Sequence, residues 1–245
     1  MSHGPSRERT YTMRCTTYMP RNLRLLQGCM KSPAIWSLLM LPLLALGAET
    51  TKQDFSKVMA LKPDEERGGQ LFEACAACHN TDGGGTTNGS VPRIAGQHYR
   101  VLVRQVLDFR RGARWDMRME DVATSHEIIP ELQDIADVAS YASHLRRDGT
   151  RGLGDGQNVE RGAAIYAAGC SSCHGTNAEG DDKQGAPRLS GQHAGYLARQ
   201  IYDAVDGRRP QLAASHRKRF VKLDFQEVQG LADYLARLGW QEPTP

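Results

Sequence analysis

Two pentapeptides hold most of the reactive side chains of this chain: Cys75-Ala76-Ala77-Cys78-His79 and Cys170-Ser171-Ser172-Cys173-His174. C-x-x-C-H is the attachment signal of c-type haem. Residues three apart share a helix face, so two thiols at that spacing can reach the two vinyl groups of one porphyrin. The adjacent imidazole then stands under the ring as a proximal iron ligand. Two other chemistries use paired cysteines. Zinc pairs usually sit roughly 15–20 residues apart, whereas most of a domain separates these. A dithiol redox pair needs a βαβ setting, and no strand-rich pattern flanks either copy. The expectation is two covalently bound haem c, tethered by Cys75, Cys78, Cys170 and Cys173, with His79 and His174 on iron. Zinc and dithiol chemistry remain the alternatives.

The elements that must position these residues are duplicated. Glu66-Arg67-Gly68 through Phe72 answers Glu160-Arg161-Gly162 through Tyr166. Pro92-Arg93-Ile94-Ala95-Gly96-Gln97-His98 answers Pro187-Arg188-Leu189-Ser190-Gly191-Gln192-His193, at the same 95-residue offset as the cysteines. Arg104-Gln105 pairs with Arg199-Gln200, and Asp137 to Tyr141 with Gly230 to Tyr234. Fixed-offset similarity of this kind marks a repeated structural unit. Each unit reads as short helices joined by glycine-rich loops. The first helix opens near Pro63-Asp64. The last helix of unit two opens on Asp224 with Glu227 three residues on, a capping box, followed by Phe225, Val228, Leu231, Ala232, Leu235 and Leu238 at helical spacing. Unit one ends similarly, with Leu132, Ile135, Val138, Ala139, Ala142 and Leu145 after Pro130. The expected domains span residues 60–147 and 158–241, joined by a glycine- and charge-rich linker over 148–157, with a modest interface between them.

Ahead of both lies a segment that reads as a leader. Lys31 precedes an apolar run from Ala34 to Leu46, and Gly47-Ala48 supply small residues for cleavage. The run is short for a membrane span, the alternative reading. Residues 1–48 are therefore expected to be a leader and signal peptide, with 1–29 a start-site artefact ahead of Met30-Lys31. Six of the 31 Lys/Arg and one of the 28 Asp/Glu lie there, so the remainder carries a formal −2 instead of the whole chain's +3. The basic balance belongs to the leader and gives no argument for nucleic acid. Of the six cysteines, Cys15 and Cys29 also fall in this segment, which leaves no structural disulfide.

Both units resemble class I cytochromes c, and the tandem arrangement resembles the di-haem cytochrome c-four family. Beyond C-x-x-C-H, the resemblance rests on Gly68 and Phe72, Gly162 and Tyr166, and Tyr141 and Tyr234 with Val138 and Leu231. It implies an all-α fold: two tandem domains, each a few helices wrapped around one haem. It implies close helix crossing at the glycines, which agrees with glycine's cost inside a helix. It also implies that the Pro92 and Pro187 carbonyls accept a hydrogen bond from the second nitrogen of each proximal histidine, fixing the ring. A proline that only shapes its loop is the alternative.

For the sixth ligand the resemblance implies a methionine ahead of the last helix. In unit one that is Met119, with Met117 as competitor. Unit two departs from the pattern, because no methionine follows Met119. His216, 18 residues before Tyr234, lies close to the position that the family gives its methionine. The expectation is bis-histidine ligation by His174 and His216, the alternative being an open or water-ligated iron. The loop from Asp82 to Gly89 lacks the Lys-Ser/Thr ending of a phosphate loop and reads as a flexible cover over the haem edge. His98 and His193 read as surface or cap residues, with metal ligation the alternative, His144 as solvated, and His126 as a weak competitor for iron. Arg208-Arg209 and Arg217-Lys218-Arg219 read as a solvated face, with docking of an acidic redox partner the alternative. No aromatic interleaving supports nucleic-acid binding.

The expected function is that of a periplasmic carrier of single electrons, with redox-protein partners and no catalytic residue. By the resemblance it runs between a quinol-oxidising complex or dehydrogenase and a terminal oxidase or reductase, partners that include membrane-bound complexes. The rivals are a haem enzyme such as a peroxidase working on an open second haem, and the cytochrome subunit of a dehydrogenase complex.

Overall fold

Side-chain caps start some of the helices in each copy. The computed structural model describes residues 51–147, 149–212 and 214–239; the expected leader and the end of the second domain's expected span lie outside the described residues. In the first copy, α1 is helical over 51–60. It is followed by α2 (Glu65–His79), α3 (Tyr99–Arg110), α4 (Met117–Thr124) and α5 (Leu132–His144). The second copy holds α6 (Val159–Gly169), α7 (Ser171–His174), α8 (Ala194–Val205), α9 (Ala214–Phe220) and α10 (Phe225–Arg237). Among the described residues there is no strand, only an isolated bridge between Asp181 and Ala186.

The Asp64 carboxylate caps α2 by accepting from the Arg67 amide, with Glu65 and Glu66 in the first turn, where the helix dipole favours acid. Asp224 and Glu227 form the capping box of α10 in both directions. A box on Glu131 and Asp134 starts α5. Both motif helices stop directly after their histidine. Asn80 (φ 63, ψ 162) and Gly175 (φ 81, ψ 164) turn the chain in the same way, through backbone space that side chains rarely enter. Asn80 holds the turn with its own amide, which donates to the Gly85 carbonyl at 2.7 Å.

Each copy is built on a crossing of its first and last long helices. A Cβ on Gly68 would lie 2.2 Å from the Asp137 carbonyl oxygen, and one on Gly162 would lie 2.1 Å from that of Gly230. Only glycine allows these backbones to touch. Aromatic pairs close each crossing, Phe72 with Tyr141 at 5.3 Å between centroids and Tyr166 with Tyr234 at 5.8 Å. In the first copy Arg67 adds ion pairs to Asp134 and Asp137 on α5, and Asp137 also accepts from the Asp64 amide. Around each crossing lies a separate apolar core. One gathers Phe72, Val103, Leu107 and Ile135; the other gathers Tyr166, Leu197, Ile201 and Val228. Full burial of such side chains contributes roughly 1.5–3 kcal/mol each. Val58 of α1 is part of the first core, so packing in that domain reaches back beyond residue 60.

The two copies are joined more firmly than a modest interface suggests. The loop from Asp82 to Gly89, expected to be flexible, is pinned by the other copy. Its Gly84 carbonyl accepts from His193 Nε2 at 2.7 Å, and its Gly89 carbonyl from Arg199 at 2.7 Å. The connection between copies is clamped as well, with the Gly154 and Gly156 amides both donating to the Asp233 carboxylate. Arg114, on the chain between α3 and α4, donates to Gln105 in its own copy and to Tyr196 and Gln200 in the other.

Candidate functional site

In the first copy the whole motif lies on α2, which places Cys75 and Cys78 three residues apart in its last turn. The second copy differs. Its helix breaks at Cys170 (φ −123, ψ −35), and Ser171 begins the short α7. Serine competes with the helix for its own backbone, and the Ser171 hydroxyl donates back to the Ala167 carbonyl at 3.0 Å. The four cysteines of the two motifs are free of disulfides.

Both histidines are held alike. His79 Nδ1 lies 2.9 Å from the Pro92 carbonyl oxygen, and His174 Nδ1 lies 3.0 Å from that of Pro187. A carbonyl only accepts, so Nδ1 carries the proton and Nε2 keeps its lone pair for a metal. Both rings are buried, and burial holds both below the usual histidine range despite the proline carbonyls that favour the charged form. A neutral imidazole with one oriented lone pair is what an iron ligand requires.

His79 lines a cavity of about 260 Å³. Its walls are mainly apolar, with Phe72, Val101, Leu102, Val138 and Ala139 among them, and Cys75, Cys78, His79 and Pro92 at one side. Met119 lines this cavity, whereas Met117 is not in its wall and is 70% exposed. Residues two apart point to nearly opposite sides of a helix, and α4, capped by Asp116 through the amides of Arg118 and Met119, carries both methionines. An apolar cradle flanked by two thiols, an imidazole and a thioether fits a haem.

In the second copy the imidazole of His216, on α9, lies near that of His174. Their centroids are 6.2 Å apart and their planes lie at 78°. Two metal–nitrogen bonds of about 2 Å and two ring radii of about 1 Å span roughly 6 Å, so the pair fits a shared iron. Burial, and then the neighbouring His174, hold the His216 ring below the usual range, and its Nδ1 is buried without a hydrogen-bond partner.

Other candidates separate from these centres. His126 is exposed. His144 sits at the surface, with Nδ1 3.0 Å from the Glu65 carboxylate. The basic cluster divides. Arg208 pairs with Asp203 and Asp206, Arg217 and Lys218 remain exposed, and Arg209 turns inward to line the first cavity. Burial lowers the Arg209 pKa to about 10.

His98 and His193 stand at the N-cap positions of α3 and α8, as expected where a loop enters a helix, but neither side chain bonds its own helix and the surface reading is corrected. His193 is fully buried, and both rings reach across the interface. His193 Nε2 donates to Gly84 while its Nδ1 accepts from the Gly152 amide at 2.9 Å; His98 Nε2 bonds the Glu179 carbonyl at 2.8 Å. The adjacent Gln97 and Gln192, given no role by the sequence reading, also bridge the copies. Their signal was the identical Gly-Gln-His of the two repeats.

A Cytochrome c family model matches residues 65–146 and again 159–239. Cytochrome c4 of Azotobacter vinelandii is 32% identical over 179 residues, covering 67% of this chain and 84% of that protein. A protein of Stutzerimonas stutzeri (strain A1501) named thiosulfate dehydrogenase electron acceptor is 29% identical over 177 residues, covering 69% and 81%. Among solved structures, reduced recombinant cytochrome c4 from Pseudomonas stutzeri aligns with a TM-score of 0.64 and 28% identity, over 72% of this chain and 100% of that one.

Proposed function

Because the chain belongs to the cytochrome c family, as a tandem di-haem member of the cytochrome c4 kind, we propose that it works in the periplasm as a two-site electron relay with unequal sites. It carries two covalently bound haem c and transfers electrons. The bound haem iron supplies the one-electron chemistry; the chain supplies ligands, burial and hydrogen bonds.

In this reading Cys75 with Cys78, and Cys170 with Cys173, are the tethers. His79 and His174 present Nε2 to iron while Pro92 and Pro187 hold Nδ1–H. Met119 completes the first site and His216 the second. A thioether favours ferrous iron and raises the potential, whereas a second imidazole favours ferric iron. Electrons therefore enter through the second site and rest on the first. The observation that carries this asymmetry is the close pair His174 and His216.

Periplasmic location rests on the apolar run before Gly47-Ala48. A dehydrogenase as donor is supported by the likeness to a protein named thiosulfate dehydrogenase electron acceptor; a quinol-oxidising complex as donor and a terminal oxidase or reductase as acceptor rest on the family resemblance alone.

The test is a spectroelectrochemical titration of the holoprotein with and without carbon monoxide. Two separate one-electron steps are expected, with neither ferrous site binding carbon monoxide rapidly. Rapid binding at one site, accompanied by peroxide turnover, would replace the relay with a haem enzyme.

A further inference from the structure

We propose that Gln192 and Gln97 are positioning residues, each setting the proximal histidine of the opposite domain through a single peptide unit. The Pro92 carbonyl that accepts from His79 and the Arg93 amide belong to the same planar, conjugated peptide. That amide donates to Gln192 Oε1 at 2.9 Å. The second copy repeats the arrangement. His174 bonds the Pro187 carbonyl, and the amide of the same peptide, Arg188 N–H, donates to Gln97 Oε1 at 2.9 Å. Each chain of bonds therefore runs from an imidazole through one peptide dipole to a glutamine of the other domain.

The glutamines are locked in this role. Gln192 Oε1 also accepts from the His193 amide at 3.0 Å, and its Nε2 donates to the Arg93 carbonyl at 2.7 Å. Gln97 does the same with the His98 amide at 3.0 Å and the Arg188 carbonyl at 2.9 Å. With two N–H groups facing Oε1 and a carbonyl facing Nε2, neither amide can flip without losing every bond. Arg93 and Gln192 are 3% and 6% exposed, so water does not screen the first of these chains, whereas Gln97 and Arg188 of the second are half-buried.

Hydrogen bonds in series polarise one another, and more strongly where the dielectric is low. A glutamine oxygen pulling on the peptide N–H makes the carbonyl at the other end a better acceptor. The carbonyl in turn draws harder on Nδ1–H and raises the basicity of the imidazole. A more basic imidazole stabilises ferric iron, so each glutamine lowers the potential of the other domain's haem. Gln192 thus acts on the first site and Gln97 on the second. Simple docking of the copies would show no such crossing.

This inference rests on His79 and His174 being the proximal ligands. The experiment is a redox titration of holoprotein carrying Gln192→Leu, and separately Gln97→Leu, with the Nδ1–H resonances of both histidines followed by proton NMR. Gln192→Leu is expected to raise the first site's potential by about 30 mV, a threefold change in its equilibrium constant at 59 mV per tenfold. The second site should move far less, and Gln97→Leu should give the mirror result. Gln192→Glu, which keeps an acceptor and adds charge, should shift the first site downward; it decides the matter if the leucine variant fails to fold. Equal shifts at both sites, or none, would overturn the proposal. Wrong ligands would instead alter the wild-type spectra and potentials themselves, whereas this test reads differences between variant and wild type.

Discussion

The imidazole of His216 lies 6.2 Å from that of His174, centroid to centroid, with the two planes at 78°. This separation leaves room for one metal ion between two nitrogens. The ferric holoprotein should accordingly give two low-spin electron paramagnetic resonance signals. His216→Ala should convert one of them to high spin and open that site to carbon monoxide. A high-spin signal already present in the wild type and unchanged in the variant would eliminate the bis-histidine assignment.

Met119 lines the first cavity while Met117 points into solvent. Met119→Ala should abolish the methionine–iron charge-transfer band and lower the potential of the first site. Met117→Ala should leave both unchanged and alter stability by no more than about 0.5 kcal/mol, as for most exposed positions. Loss of the band in the Met117 variant would exchange the two roles.

Gly68 and Gly69 are neighbours with different tolerances. A methyl at 68 meets the Asp137 carbonyl at 2.2 Å, which is fixed backbone; one at 69 meets the edge of the Tyr141 ring at 3.1 Å, which can shift slightly. Gly68→Ala should therefore cost about 1–3 kcal/mol or more, as overpacking does. Gly69→Ala should be much milder. Denaturant unfolding of the two holoproteins compares them directly, and equal stability would remove the argument for close helix approach.

His193 gives the interface a pH dependence. Its ring is neutral, with Nε2–H donated to Gly84 and Nδ1 accepting from Gly152. Burial holds its pKa below 6.5, with Arg93 adding to the depression. With the folded value depressed, the unfolded chain takes up the proton first. The contribution to stability is complete above pH 6.5 and is lost as pH falls through the folded value. Denaturation midpoints should drop on acidification below pH 6.5, and less steeply in His193→Gln. Parallel pH profiles for the two proteins would count against this role.

Periplasmic material should contain a chain beginning near Ala48 or Glu49 with two haems attached. Intact-mass spectrometry reads both features at once. A mass matching peptide alone, or peptide with one haem, would contradict the assignment of both motifs.

Several features could be read directly from the chain, because their chemistry is local. The C-x-x-C-H spacing depends on one helical turn, and the capping of α2 and α10 depends on residues three apart. The glycines at 68 and 162 were legible too, since a repeated glycine inside a helix signals contact with another backbone. The absence of methionine after Met119 required only counting. What the chain alone left open was decided by groups distant in sequence. Met117 and Met119 are two residues apart with the same chemistry, and only the packing of α4 decides which one faces the cavity. Gln192 and His193 lie about a hundred residues from the backbone groups they bond. The repeat made them equivalent to Gln97 and His98 without showing that each copy serves the other. Internal similarity reports what each unit is, whereas burial and hydrogen bonding across the interface depend on how two finished units dock. For that reason the sequence determined the two haem motifs, and the tertiary structure joined their surroundings.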